Sequence, residues 1–224
     1  MSKYIIGDIH DIIKTIDKDS IDLIYTNPPY ATTNKEWDKP IDWETLWKDM
    51  DRVLKPNGVV LLHSSIPFTY DLIRIRKPKY NYIWIKTNPT NFFHAKRQPL
   101  RQVEEILVYY KKKHTYNPQM IGNEKMTNKR SNSYSGDLYY GDQKPNQSNH
   151  TGRFPTTFLG EYSRIIQTDS PKSIHDDIMI KMISTYSNKD DTILDMTCCD
   201  KNLGTLATTL NRKYIGVDIS SEFL

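Results

Sequence analysis

Residues 4–30 read YIIGDIHDIIKTIDKDSIDLIYTNPPY: an apolar run, a stretch with helical spacing, a second apolar run, then an asparagine, two prolines and a tyrosine. Two consecutive prolines remove two backbone donors and fix two φ angles, so they end a strand rigidly. Asn27 precedes Pro28 and Pro28 precedes Pro29, which biases both toward extended conformations. The Asn27 side-chain oxygen and the Pro28 carbonyl are thereby aimed out of the strand's carboxyl end.

The same alternation continues along the chain. KYIIG (3–7) and IDLIY (21–25) read as strands around the helical DIIKTI (11–16), and WETLWKDMDRVL (43–54) reads as a helix before the strand GVVLLH (58–63). NYIWIK (81–86), EEILVYY (104–110), TILD (192–195) and KYIGVDI (213–219) read as further strands, with helices over DDIMIKMISTY (176–186) and near 203–210. Strands alternating with helices imply crossover connections, and so an α/β fold with a Rossmann-like, doubly wound, mostly parallel sheet. In such a sheet ligands bind at the carboxyl ends of the strands, where strand order reverses. Two fixed acceptors and the ring of Tyr30 at that place suit a planar group carrying an NH₂.

The length of 224 residues allows one sizeable core, and the 37% apolar content indicates that most of the chain folds. No apolar run approaches the roughly 18 residues of a membrane span, and Met1-Ser2-Lys3 leads directly into a strand, so a soluble, intracellular protein is expected. The two cysteines, Cys198 and Cys199, are adjacent and the six histidines are scattered, which argues against a disulfide framework and against metal catalysis. Net charge is +4, but residues 94–153 hold eleven Lys and Arg against five Asp and Glu, which reads as a polyanion-facing surface or as a soluble loop. From about 112 to 170 periodicity disappears, and 128–155 is polar, aromatic and rich in turn formers. A stretch that long inside one domain is either a functional insertion or disordered; an inserted recognition lobe is expected.

Accepting hydrogen bonds from both N–H groups of an exocyclic amine favours a pyramidal nitrogen and exposes its lone pair, and preorganised acceptors stabilise the charge that develops. Tyr30 would stack on the base. TNPPY (26–30) resembles the catalytic motif of the DNA amino methyltransferases, and the surrounding segments are similar to theirs in order. YIIGDIHDIIKTIDKDSIDLIYTNPPY resembles their opening strand, helix and catalytic strand, and RVLKPNGVVLL (52–62) the next helix and strand. WIKTNPTNFFHAKRQPLRQVEEILVYYKK (84–112) resembles phage-type and orphan N6-adenine enzymes, and TYSNKDDTILD with NRKYIGVDIS resembles their cofactor half. The order, catalytic motif first and cofactor loop last, is that of the permuted β class.

The resemblance implies a class I methyltransferase fold, S-adenosylmethionine as cofactor and double-stranded DNA as substrate, with no metal and no membrane. It divides the chain into a catalytic half (1–111), an inserted target-recognition region (112–170) and a cofactor half (171–224). Asn27, Pro28, Pro29 and Tyr30 are the implied catalytic set. Asp8 would accept from the cofactor's adenine amine, Asp218 would bind its ribose, and Asp195 would lie near its methionine moiety. Ile9, Thr26, Thr197, Cys199 and Ile219 stand beside them in the same motifs. A flipped adenine is implied, with N4-cytosine as the alternative base and RNA or protein as weaker alternative substrates. Lys96, Arg97, Arg101, Lys111, Lys112 and Lys113 are candidate phosphate contacts, and Lys129 and Arg130 lie in the recognition lobe.

Two departures stand out. Where the family has a glycine-rich loop after the acid at 195, this chain has DMTCCDKNLG, with Cys199 and Lys201 at the two glycine positions. Side chains there would strain positions requiring positive φ, and Lys201 could occupy or flank the pocket or repel a sulfonium. The expected consequences are weak cofactor binding that improves with DNA, in a homodimer or beside a heteromeric partner, or else a silent DNA-binding homologue. The segment SPKSIH (170–175) retains only Pro171 of the family's His-Pro-x-x-Lys-Pro. A cytosine-C5 reading of the cysteines fails for want of a Pro-Cys dipeptide; a pair of small buried residues beneath the loop is expected instead.

Overall fold

A computed structural model describes residues 2–130, 146–162, 174–199 and 201–220. They form two units, one made of the described residues up to Asn117 and from Thr157 onward, the other of Pro118–Thr156. In chain order the first unit contains β1 (Ser2–Ile6), α1 (Ile9–Ile12), β2 (Ile21–Thr26), α2 (Trp43–Val53), β3 (Leu54–Ser64), α3 (Phe68–Ile75), β4 (Tyr80–Thr90) and β5 (Arg101–Tyr110). After β6 (Ile121–Arg130) and β7 (Asn146–Arg153), which pair antiparallel in the second unit, it resumes with β8 (Phe158–Tyr162), α4 (Asp176–Tyr186), β9 (Thr192–Asp195), α5 (Asn202–Thr209) and β10 (Lys213–Asp218).

The sheet order is β1-β10-β9-β2-β3-β5-β4-β8. The strands from β1 to β3 are parallel to their neighbours, β5 is antiparallel to both β3 and β4, and β8 is parallel to β4. From β2 the chain winds through α2 to β3 on one side; from β9 it winds through α5 to β10 on the other. The reversal therefore lies between β2 and β9, and a crevice opens at their carboxyl ends.

β2 is apolar throughout because both its faces are covered. Ile21 and Ile24 join the cluster under α1, α2 and α3, whereas Leu23 and Tyr25 join the cluster under α4 and α5. Each such buried side chain contributes roughly 1.5–3 kcal/mol. In α2 the apolar residues Trp43, Leu46, Trp47, Met50 and Val53 fall on one face, and Asp42 caps the helix by accepting from the Thr45 N–H at 3.2 Å. At the other end of the switch strand, Asp22 takes the Lys55 ammonium on both oxygens at 2.8 Å and the Thr192 N–H at 2.9 Å. One carboxylate thus ties β2, β3 and β9 together.

The predicted helix over 11–16 is instead a four-residue α1 capped by Asp8, followed by a 3₁₀ turn at Ile13–Thr15. α3 and the strands β6, β7 and β8 were not legible as elements. The stretch read as one insertion, 112–170, is divided. The Asn117 side chain donates to the Ser184 and Ser187 carbonyls at 3.2 Å at the end of α4, and β8 adds to the main sheet beside β4. Residues 163–170 lie outside the described residues. No helix among the described residues is long and apolar enough to cross a membrane.

Candidate active site

The switch point is bridged by two hydroxyls: Thr26, ending β2, and Thr197, just after β9, have their oxygens 2.8 Å apart. Beyond Thr26, Asn27 and Pro29 line a cavity of about 1100 Å³, while Pro28 is buried behind them. Ala31 reverses the chain with φ +52°, and the loop it starts is closed by Asp38. That carboxylate, buried, accepts from the Ala31, Thr32 and Thr33 N–H groups at 2.8, 3.0 and 2.7 Å and from the Thr33 hydroxyl at 2.7 Å. Lys35 and Trp37, within the loop so closed, and Ile41 just after it form part of the cavity wall. Sequence reasoning missed Asp38; an acid between Trp37 and Pro40 in a polar run was its only mark.

Tyr30 does not line this cavity, which departs from its expected part as a plate for the base. One face of its ring stacks on Phe68, with centroids 5.1 Å apart and planes at 19°, because α3 starts directly over it. Its hydroxyl lies 3.2 Å from Asn27 Oδ1 and 3.4 Å from Glu104 Oε2. Burial, and then the Glu104 carboxylate, push this hydroxyl well above the usual tyrosine range, so it remains protonated. The other Glu104 oxygen, Oε1, accepts from the Lys86 ammonium at 2.6 Å. Neither Glu104 nor Lys86 had been singled out; they meet only through the pairing of β4 with β5.

Three acids stand at the carboxyl ends of three adjacent strands. Asp195, on β9, is buried and accepts from the Tyr214 hydroxyl at 3.1 Å and the Thr197 N–H at 3.3 Å. Asp218, on β10, accepts from the Cys199 and Ser220 N–H groups at 2.8 and 3.0 Å. Asp8, just after β1, accepts from the His10 N–H at 2.8 Å. All three line the one cavity, together with Ile9, Thr26, Thr197, Cys199 and Ile219. Its volume slightly exceeds the roughly 300–1,000 Å³ of most ligand pockets, enough for a nucleoside-sized cofactor and a second planar group. A carboxylate offers about four acceptor sites, so Asp218 retains capacity for ribose hydroxyls after its two backbone bonds. This set of carboxylate acceptors fits the hydroxyls and amines of S-adenosylmethionine.

The altered loop is only half strained. Cys199 has φ +48°, the left-handed conformation that a glycine would adopt at less cost. Lys201 has φ −84° and ψ 1°, an ordinary conformation, and its ammonium lies over the Tyr4 ring, 5.8 Å from the centroid. It is not part of the cavity wall, so it flanks the pocket between Cys199 and Asn202, which do line it, rather than occupying it. The cysteines, both on the cavity wall, differ in burial: Cys198 is buried, and burial followed by Asp195 pushes its thiol up, whereas Cys199 is half-buried.

The candidate DNA contacts separate into groups. Lys96 and Arg97 are exposed between β4 and β5, and Arg101 begins β5. Because Glu105 pairs with Ser64 at the end of β3, this segment lies at the same sheet edge as Asn27. Lys111 follows the end of β5 and is carried to the opposite edge, about 30 Å of strand away, where its ammonium meets Asp51 at 3.1 Å. The antiparallel course of β5 therefore removes Lys111, and with it Lys112 and Lys113, from the crevice edge. Lys129 is exposed near the end of β6 in the second unit, and Arg130 ends that strand, its backbone paired with Asn146.

A sequence profile described as DNA methylase, for the N6 and N4 amino methyltransferases, matches residues 21–224. The chain belongs to the DNA methylase family. It is 26% identical to the type II methyltransferase M.HpaI of Haemophilus parainfluenzae over 226 residues, 95% of this chain and 68% of that protein. It is also 26% identical to the DNA adenine methyltransferase YhdJ of Escherichia coli K12 over 242 residues, 97% of this chain and 78% of that one. The crystal structure of an M1.HpyAVI–SAM complex superposes with a TM-score of 0.64 at 20% identity, covering 100% of this chain and 95% of that one. The fold is that of the class I methyltransferases. In this DNA methylase the strand bearing TNPPY precedes the strand bearing Asp195, and the segment 170–173 lies outside the described residues, while Ile174 lines the cavity and His175 caps α4.

Proposed function

We propose that the protein transfers a methyl group from S-adenosylmethionine to the N6 amine of an adenine extruded from double-stranded DNA. The observation that carries this is that Asn27 lines the same cavity as Asp8, Asp195 and Asp218. Acceptors suited to an amine and acceptors suited to a nucleoside face one space.

When bound, the cofactor would supply an electrophilic methyl group on sulfur: the new C–N bond forms as the methyl C–S bond breaks, the thioether S-adenosylhomocysteine leaves, and one amine proton is lost to solvent. Asp218 and Asp8 would accept from its ribose and adenine, and Asp195 with Thr197 would lie near its methionine moiety. Asn27 Oδ1 accepts from the target amine, and the rigid Pro28-Pro29 pair keeps that oxygen in place as the nitrogen becomes pyramidal; the Pro28 carbonyl, expected as a second acceptor, belongs to a residue that does not line the cavity. Extruding the base costs a few kcal/mol; phosphate contacts from Lys96, Arg97 and Arg101 offset it and make binding steeply salt-dependent. Adenine rather than cytosine is supported by the leading Asn27 and by the similarity to YhdJ.

The test is nucleoside mass spectrometry of DNA incubated with the protein and S-adenosylmethionine. N6-methyladenine, lost in Asn27→Ala, is the expected result. N4-methylcytosine alone would replace the base assignment. Unmodified DNA, with no heat of cofactor binding at millimolar concentration, would replace the reading with a silent DNA-binding homologue.

A further inference from the structure

The turn between β4 and β5 holds two aromatic rings out in water. Phe92 is two-thirds exposed and Phe93 fully exposed. Single exposed apolar residues are ordinary on a protein surface, but two adjacent phenylalanines forgo much of the roughly 1.5–3 kcal/mol that burying each would give. The turn that carries them is well bonded. Asn91 enters it in the left-handed conformation at φ +77°, and a 3₁₀ turn follows over Phe92–His94. The His94 N–H donates to the Asn91 carbonyl at 3.1 Å, the Ala95 N–H to the Phe92 carbonyl at 3.0 Å, and the Arg97 and Gln98 N–H groups to the His94 carbonyl at 2.8 and 3.0 Å. These bonds satisfy the backbone locally, so the two rings are presented on a preformed turn.

The charges around them have one sign. Between Lys86 and Glu104 the chain carries Lys96, Arg97 and Arg101 and no Asp or Glu. Lys96 and Arg97 are exposed, within four residues of Phe93. Aromatic rings beside uncompensated cations suit an anionic partner with an apolar interior, and position selects which one. Glu104 Oε2 lies 3.4 Å from the Tyr30 hydroxyl, which itself lies 3.2 Å from Asn27 Oδ1. Arg101, where β5 leaves the turn, is three residues further out, about 10 Å of strand. Because β5 runs antiparallel to β3, with Glu105 opposite Ser64, that direction leads away from the sheet past the crevice edge. The turn therefore projects beyond the mouth beside Asn27, where a nucleic acid must stand for its base to enter.

We propose that the turn over 91–97 enters the duplex at the target site, with Phe93 filling the space that the extruded adenine leaves and Lys96 and Arg97 on the flanking phosphates. This rests on the reading of the protein as a methyltransferase of duplex DNA. Extrusion costs a few kcal/mol because the neighbouring bases lose a stacking partner and the opposite base loses its pair. An aromatic ring in the gap returns about 1–3 kcal/mol of stacking, and apolar side chains are known to wedge between base steps. Tyr30, packed on Phe68 and away from the cavity wall, is not placed for this. A turn that merely held DNA through its cations would work equally well without the Phe93 ring.

The probes are two duplexes carrying a site mapped on DNA that the parent protein methylates. In one, thymine pairs with the target adenine; in the other, a pyrene nucleotide stands opposite it, whose ring system fills the width of a base pair and keeps the adenine extruded without help. Methylation at subsaturating DNA is compared for the parent, Phe93→Ala and Lys96→Gln. Phe93→Ala should lower the rate about tenfold on the thymine duplex, equivalent to about 1.4 kcal/mol, and less than about threefold on the pyrene duplex. Its Tm should stay within about 2 °C of the parent, as for a surface substitution. Lys96→Gln should lose the same factor on both duplexes and lower the salt slope by about 0.9. Equal losses for Phe93→Ala on the two duplexes, a larger fall in Tm, or rescue of Lys96→Gln by pyrene to the same extent would overturn the proposal. Full activity of Phe93→Ala on the thymine duplex would also overturn it and assign the rings to a protein or membrane partner. Each of these leaves the methyltransferase reading intact, whereas a parent protein that methylates no DNA would sink that reading and the proposal together.

Discussion

The main-chain N–H of Cys199 donates to Asp218 Oδ2 at 2.8 Å while Cys199 itself stands at φ +48°. The backbone bond to Asp218 is thus made at the cost of a Cβ in a left-handed conformation. Cys199→Gly keeps the donor and removes the strain, so it is expected to stabilise the fold by about 1 kcal/mol, a rise of about 2–4 °C in Tm, and to tighten cofactor binding. Thermal denaturation and isothermal titration read these out; a lower Tm would refute the strain argument.

The two adjacent thiols should react differently. Both border the cavity, but Cys198 is buried and its thiol is pushed up by burial and then by Asp195, which suppresses the thiolate, whereas Cys199 is only half-buried. Brief treatment with iodoacetamide at neutral pH should label Cys199 alone, and S-adenosylmethionine should protect it. Peptide mapping that finds equal labelling, or no protection, would contradict the placement.

Asp38 supports the loop after the prolines through three backbone N–H groups and one hydroxyl. Asp38→Asn leaves one oxygen and points an NH₂ at donors, so it should cost roughly 2–3 kcal/mol, nearly as much as Asp38→Ala. Urea denaturation measures this, and methylation should fall with it because Lys35 and Trp37, carried by the loop that Asp38 closes, line the cavity.

Acid stability should report on Asp51. Burial pushes its carboxyl up, but bonds from Arg76 at 2.8 and 2.6 Å and from Lys111 outweigh it and hold the group below its usual range. A depressed carboxylate stabilises the fold at pH values above its unfolded pKa of about 3.9, and that contribution fades as pH falls from there through the lower folded value. Asp51→Asn should therefore be less stable than the parent at pH 7, with the gap closing below about pH 4. A gap that stays constant between pH 7 and pH 3 would show that the ion pairs contribute nothing.

Much of the fold was legible because its elements carry local signals. β2 shows as an apolar run cut off by two prolines, and α4 begins and ends where its helical spacing does, over Asp176–Tyr186. β6 and β7 show nothing of the kind: IGNEKMTNKR and NQSNHTGR are polar strands whose pairing satisfies backbone groups without burying a face. Asp38 was invisible because its partners are backbone groups brought round by a left-handed Ala31, and Glu104 because its meaning depends on Lys86 and Tyr30, 18 and 74 positions away.

By itself the sequence determined the α/β alternation, the rigid Asn27–Tyr30 turn at a strand end and the order of motifs that places the chain among DNA methylases. These are properties of local periodicity and of backbone chemistry at single positions. Only the tertiary structure decided that Cys199 is strained while Lys201 is not, that Lys111 is carried to the edge away from the crevice, and that Tyr30 turns its hydroxyl between Asn27 and Glu104. Such outcomes depend on the direction of β5 and the register of long-range strand pairs, which packing of the whole sheet selects and no short stretch encodes.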